Sequence, residues 1–229
     1  MHSSRMGVSL LAIFLLLACT STPKHFYDIP VDRRIPLLIV GETESSRYMA
    51  QFDDCFQSDP KTGLETICLD PPPFELRINV LDSVFGPPIP PYLVAETTSH
   101  FGSRPYVESN QRLRLYLLVT DGASYIMPRY NTAVLKEDWS GRLAVPIWWT
   151  HQLWWLPCGV ESLAQEIHFE RDAAESADRI GKQPLEENPA WFQVVGSRVI
   201  PKRGVYVDEI RNYLKRVSPK GSDMACQSN

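Results

Sequence analysis

Phe74-Glu75-Leu76-Arg77-Ile78-Asn79-Val80 alternates apolar and polar residues with a period of two. This is the pattern of a strand that turns one face to a core and the other to water. The proline-rich link Gly86-Pro87-Pro88-Ile89-Pro90-Pro91 ends it. Upstream, Pro36-Leu37-Leu38-Ile39-Val40-Gly41 is a short unbroken apolar run, consistent with a buried strand. Between the two, Arg47 to Gln57 and Leu64 to Leu69 flank Asp59-Pro60-Lys61-Thr62-Gly63, whose proline and glycine favour a turn, so this stretch reads as a hairpin. Downstream, Tyr92 to Thr98, Leu113 to Thr120 and Ser124 to Met127 continue the strand pattern, with Asp121-Gly122 as the turn between the last two. Five or six strands at this spacing suggest an antiparallel barrel or sandwich.

Helix enters later. Val160, Leu163, Ala164 and Ile167 fall at i, i+3, i+4 and i+7, just after Pro157 and Gly159, and predict a helix. A final amphipathic helix is expected from about Val205 to Val217. Val207, Ile210, Leu214 and Val217 lie on one face of it, and Lys215 and Arg216 are placed favourably at its C-terminal end. The expected fold is mainly β with C-terminal α, an antiparallel barrel or sandwich followed by one or two helices. It forms a single globular domain over 35–229, with a β part over about 35–157 and a helical part over about 158–217.

The N-terminus reads as an address. A short polar start containing Arg5 precedes the apolar run from Val8 to Ala18, which is too short for the roughly 20 helical residues that cross a membrane. It ends in Leu16-Leu17-Ala18-Cys19, which resembles the lipobox of bacterial lipoproteins, where a peptidase cuts before the cysteine and the thiol carries a diacylglycerol. The resemblance implies a signal peptide over 1–18 and lipid on Cys19. The polar stretch from Thr20 to about Arg34, broken by Pro23 and Pro30, suits a tether over 19–34 that lifts the domain off the membrane. Thr20, where an aspartate would hold a lipoprotein on the inner membrane, implies the outer membrane, with the domain facing the periplasm.

The stretch from Leu37 to about Met127 in turn looks like the OB-type barrel of netrin and metalloproteinase-inhibitor domains. The carrying residues are Leu38-Ile39-Val40-Gly41-Glu42, Phe74 to Gly86, and Tyr92 to Thr98. In the inhibitors a free N-terminal cysteine engages the target's metal; a lipidated Cys19 is not free, so that activity is not implied.

The chain has 44% hydrophobic and 22% charged residues and a net charge of -4, with no run of five like charges. Such a surface argues against nucleic acid as a partner. With Cys19 on lipid, Cys55, Cys68, Cys158 and Cys226 remain in an oxidising compartment, where an even number favours disulfides. The hairpin register brings Cys55 opposite Cys68 and leaves Cys158 for Cys226. No CxxC, HxxxH or HExxH spacing occurs, and GxSxG and phosphate-binding glycine motifs are absent, so neither a metal nor a cofactor is expected. Glu166, His168 and Glu170 form the nearest ligand-like group, but on a helix Glu166 and His168 point to different faces. Ser99-His100 and Ser162 with His168 are the only nucleophile-base neighbours.

One segment stands out. Ile147-Trp148-Trp149-Thr150-His151-Gln152-Leu153-Trp154-Trp155-Leu156 holds four of the six tryptophans. Trp148, Trp149, Trp154 and Trp155 either close the barrel as core or present rings to a glycan, a membrane interface or a protein. On an extended strand each adjacent pair faces both ways, and on a helix the four spread around the axis, so some ring is expected outside. The function expected is that of a membrane-anchored envelope lipoprotein with a non-enzymatic binding or structural role and an envelope protein or glycan as partner. The alternative is a cell-wall-directed hydrolase.

Overall fold

In the computed structural model, β1 (Ile35–Tyr48) and β2 (Pro73–Phe85) pair antiparallel, and β2 pairs in the same sense with β3 (Tyr92–Thr98). β4 (Leu113–Thr120) returns along the other edge of β1, and β5 (Tyr125–Met127) pairs antiparallel with β4 and parallel with β3. These contacts close a five-stranded barrel in the order β1-β2-β3-β5-β4, the connectivity of an OB-type barrel. All its ladders are antiparallel apart from β3–β5, which seals it. The residues described are 29–49, 61–63, 73–98, 112–128, 131–150, 152–156 and 159–217.

The strand patterns follow from what covers each wall. In β2, Leu76 and Ile78 point into the barrel while Arg77 and Asn79 face solvent. In β1 and β4 both faces are buried. Leu37, Ile39, Tyr116 and Leu118 fill the barrel, and Leu38, Val40, Leu115 and Leu117 point out into a second cluster. Tyr116 takes its hydroxyl into the interior, where a 2.6 Å hydrogen bond joins it to Thr43 Oγ1. The β4–β5 turn is held by Asp121 Oδ1, which accepts from the backbone N–H groups of Ala123 (3.0 Å) and Ser124 (3.1 Å).

The second cluster belongs to a C-terminal layer laid over the β1–β4 wall. β6 (Thr132–Val134) pairs with Arg114 to Tyr116 of β4, beyond the stretch that β5 takes. A four-stranded sheet follows in the order β7 (Lys136–Glu137), β8 (Leu143–Pro146), β13 (Arg203–Tyr206), β9 (Gln165–Glu166). A three-stranded sheet is ordered β10 (Glu175–Ser176), β12 (Arg198–Pro201), β11 (Phe192–Val195). Two short helices, α1 (Ala177–Ile180) and α2 (Lys182–Glu187), lead into the latter. α3 (Val207–Val217) closes the layer, with Val207, Ile210 and Leu214 buried, while Val217, expected on the same face, is exposed.

Several expectations change. The 158–217 region carries five strands, β9 to β13, besides its helices. The helix expected from Val160 to Ile167 is one 3-10 turn, Val160–Leu163, followed by the extended β9. Arg47 and Tyr48, expected in the hairpin before Asp59, instead continue β1 and pair with Glu75 and Phe74. Of that turn only Lys61, Thr62 and Gly63 are described. Cys19, Cys55, Cys68, Cys158 and Cys226 lie outside the described residues, as do the expected signal peptide over 1–18, most of the expected tether over 19–34, Ser99 and His100. Among the described residues no helix is long and apolar enough to cross a membrane.

Candidate functional site

The tryptophan segment is neither strand nor helix. It leaves β8 at Pro146 as a series of turns fixed by one side chain: Gln152 accepts at Oε1 from the Trp148 backbone N–H (2.6 Å) and donates from Nε2 to the Pro146 carbonyl (3.0 Å). Leu153, Trp155 and Leu156 plug into the cluster between barrel and cover, which pins the loop from below. The rings therefore part company. Trp155 is buried, Trp148 is half-buried and stacks on Phe192 (6.2 Å between centroids), and Trp149 and Trp154 are 49% and 70% exposed.

These rings form one wall of a groove of about 450 Å³, within the range of roughly 300–1,000 Å³ typical of small-ligand sites. The facing wall is formed by Arg112 just before β4, Arg114 on β4, Thr132 to Val134 of the adjoining β6, and Lys136 of β7. The cover supplies the end, with Glu175 of β10 and Arg179 and Ile180 of α1. Among the described residues, four cations thus line the groove with one carboxylate. Glu175 sits between two guanidiniums, accepting from Arg112 Nη1 (3.3 Å) and Arg179 Nη1 (3.2 Å). Lys136 Nζ donates to the Asp172 carbonyl (2.7 Å) and carboxylate (3.2 Å). A smaller hollow of about 150 Å³ adjoins it and shares Trp149 and Gln152 with it. Arg203 lies there over the Trp191 ring, 5.0 Å from its centroid.

The outer face of β2 and β3, which OB barrels commonly use for ligands, is occupied by its own pairs. Arg47 Nη2 donates to Glu75 Oε2 (2.7 Å), Arg77 Nε to Glu75 Oε1 (3.5 Å), and the Tyr92 hydroxyl to Glu44.

The residues expected for chemistry fall elsewhere. Glu166, His168 and Glu170 lie on extended chain, so they share the exposed side while Ile167 and Phe169 are buried. The earlier reading, which put Glu166 and His168 on different faces, assumed a helix that does not form. The His168 ring rests against Trp139 (5.8 Å). Ser162 donates its hydroxyl to the Gly159 carbonyl (2.6 Å), which occupies it locally. No group of three or more metal-ligating side chains is present among the described residues.

A polar cluster that the sequence reading missed centres on Asp138, in the β7–β8 hairpin. Its Oδ1 accepts from the Ser140 hydroxyl (2.7 Å) and from the backbone N–H groups of Ser140 (2.8 Å) and Arg142 (2.9 Å), and its Oδ2 accepts from the Tyr206 hydroxyl (2.8 Å). The bonds from Ser140 above all, then Tyr206, hold this buried carboxyl well below the usual carboxylate range. Burial pushes the Tyr206 hydroxyl up, and Asp138 adds to that. Arg142 lies 3.6 Å from the Tyr206 ring centroid and forks onto Asp208 (3.0 and 2.9 Å). A carboxylate so saturated with donors stays ionised at neutral pH and has no proton to lend. It ties the hairpin to the start of α3. The signal for it was Asp138-Trp139-Ser140-Gly141, a side-chain-capped turn.

No protein-family profile, curated protein or solved structure matches this chain.

Proposed function

We propose that this chain is an envelope lipoprotein, anchored to the outer membrane through Cys19 and facing the periplasm, whose domain is a non-enzymatic binding module with the tryptophan groove as its ligand site. The observation that carries the binding role is the meeting of exposed, rigidly mounted indoles with four cations in one concave surface. Exposed aromatic surface on a pinned loop is costly to solvate and loses little entropy on binding, which is what a recognition site requires. Anchoring is supported by the short apolar core ending in Leu-Leu-Ala-Cys. The inhibitor activity of the netrin-like domains it resembles in sequence has no part in this reading, in which Cys19 carries lipid.

Two measurements test it. Mass spectrometry of the membrane fraction is expected to find a diacylated Cys19 at the mature N-terminus, and Cys19→Ala is expected to release the protein; an unmodified N-terminus refutes the anchor. For the site, Trp154→Ala is expected to shift stability by no more than about 0.5 kcal/mol yet abolish the tryptophan fluorescence change produced by solubilised envelope. Trp155→Ala is expected to cost about 3–5 kcal/mol, as a buried ring does. An envelope response untouched by Trp154→Ala and Trp149→Ala together places the binding surface elsewhere.

A further inference from the structure

We propose that the groove takes an acidic saccharide, a run of sugar rings bearing carboxylate or phosphate groups. This rests on the groove being the binding site and names the chemistry of its ligand. Charge is the first argument: a chain of net charge -4 gathers Arg112, Arg114, Lys136 and Arg179 around one groove, against Glu175 among its described lining residues and Asp172 behind Lys136. Such a local reversal of sign attracts an anion. Glu175 holds Arg112 and Arg179 on either side of itself, which fixes two planar guanidiniums at the groove end. Planar, bidentate donors suit carboxylate and phosphate oxygens.

Shape is the second argument. Trp149 and Trp154 offer flat apolar faces beside these cations, and the C–H face of a pyranose stacks on an indole while its hydroxyls and acidic group reach outward. The smaller hollow adds a further indole, Trp191, beneath Arg203, with Glu161 also in its lining and Trp149 shared with the groove. Trp149 and Trp154 in the groove, with Trp191 in the adjoining hollow, match a ligand of several rings, and the cations of the groove match its acidic groups.

The test titrates the full chain with defined probes by calorimetry and tryptophan fluorescence. The probes are hexagalacturonate and its fully methyl-esterified form, phosphorylated maltohexaose and plain maltohexaose, and hexaglutamate. At least one acidic hexasaccharide is expected to bind tenfold or more tightly than its neutral counterpart and than hexaglutamate, and which one binds identifies carboxylate or phosphate. Its affinity is expected to fall at least tenfold in Arg179→Gln and in Trp154→Ala, to weaken between about 0.05 and 0.5 M salt, and to be unchanged in Trp139→Ala, whose exposed ring is outside the groove. Equal binding of charged and neutral sugars, hexaglutamate binding as tightly, or no saccharide binding overturns the inference. In those cases a Trp154-dependent response to whole envelope would leave the binding role standing with a different ligand.

Discussion

Asp138 is the residue at which a single atom group joins the most chain. Four donors from three residues converge on one buried carboxylate, and two of them are backbone N–H groups that would otherwise face no acceptor in that turn. Removing a charged acceptor strands those donors, which costs more than the bonds contribute. Asp138→Asn is therefore expected to lose about 2–4 kcal/mol at pH 7. Because the folded carboxyl titrates below its unfolded value of about 3.9, its charge-dependent stabilisation is complete above that value and is lost as the pH falls through the folded one. Urea denaturation across a pH series should show the gap between wild type and variant widest above pH 5 and shrinking in acid. A gap that stays constant down to about pH 2 would mean the charge is not the source.

At the scale of the element, β1 has to serve two partners. Its residues from Ile35 to Glu42 pair with β4, and residues from Leu38 to Tyr48 pair with β2, with irregularities between Leu38 and Ile39, Val40 and Gly41, and Thr43 and Ser45. Bulges of this kind bend a strand and tighten its twist, which a small barrel needs in order to close. Gly41 sits at one of them, and a Cβ there would stand 2.6 Å from the Asn79 carbonyl oxygen. Because that oxygen belongs to the backbone of the paired strand, it cannot swing aside. Gly41→Ala is expected to cost roughly 3 kcal/mol. Gly122→Ala, at a positive φ of 89° but with nothing within 4 Å, should cost only about 1 kcal/mol. Denaturant melts of the two variants check the order, and a smaller loss at Gly41 would remove the close approach as its reason for being glycine.

At the scale of the molecule, one apolar cluster runs through both layers. Leu38, Val40, Leu115 and Leu117 come from the barrel wall, and Val145, Leu153, Trp155, Val205, Ile210 and Leu214 come from the cover. An ion pair from Arg211 of α3 to Asp82 of β2 and the seating of α3 add to the join. The barrel keeps an interior cluster of its own and the cover a small one around Ile167, Phe169 and Tyr206, but most of the cover's buried side chains lie in the shared cluster, so the cover is not expected to melt before the barrel. Ile210→Ala is expected to cost about 2–5 kcal/mol. It should lower the melting point seen by far-ultraviolet circular dichroism and that seen by tryptophan fluorescence by the same amount. Two separate transitions in calorimetry would show that barrel and cover unfold independently.

The sequence by itself determined the elements whose faces have unlike surroundings. β2 was legible because one face is wet and the other dry, α3 because Val207, Ile210 and Leu214 return at helical spacing, and the first half of β1 as an unbroken apolar run because both of its faces are covered there. Local periodicity reports which side of a segment meets water, and it does so without any knowledge of the partner. It misled from Val160 to Ile167, where two patterns overlap in the same residues. The helical spacing there competes with the alternation of Glu166, Ile167, His168, Phe169 and Glu170, and the extended form prevails because β13 supplies a ladder, Gly204 pairing with Gln165. The split of the tryptophans into buried Trp155, half-buried Trp148 and exposed Trp149 and Trp154 was likewise left open by spacing, since the loop's conformation hangs on Gln152 and on the cluster beneath it. The groove could be decided only by the tertiary structure. Arg112, Lys136, Glu175 and Arg179 lie far along the chain from the rings they face, and no spacing rule joins residues that meet only after a barrel has closed and a second layer has folded across it.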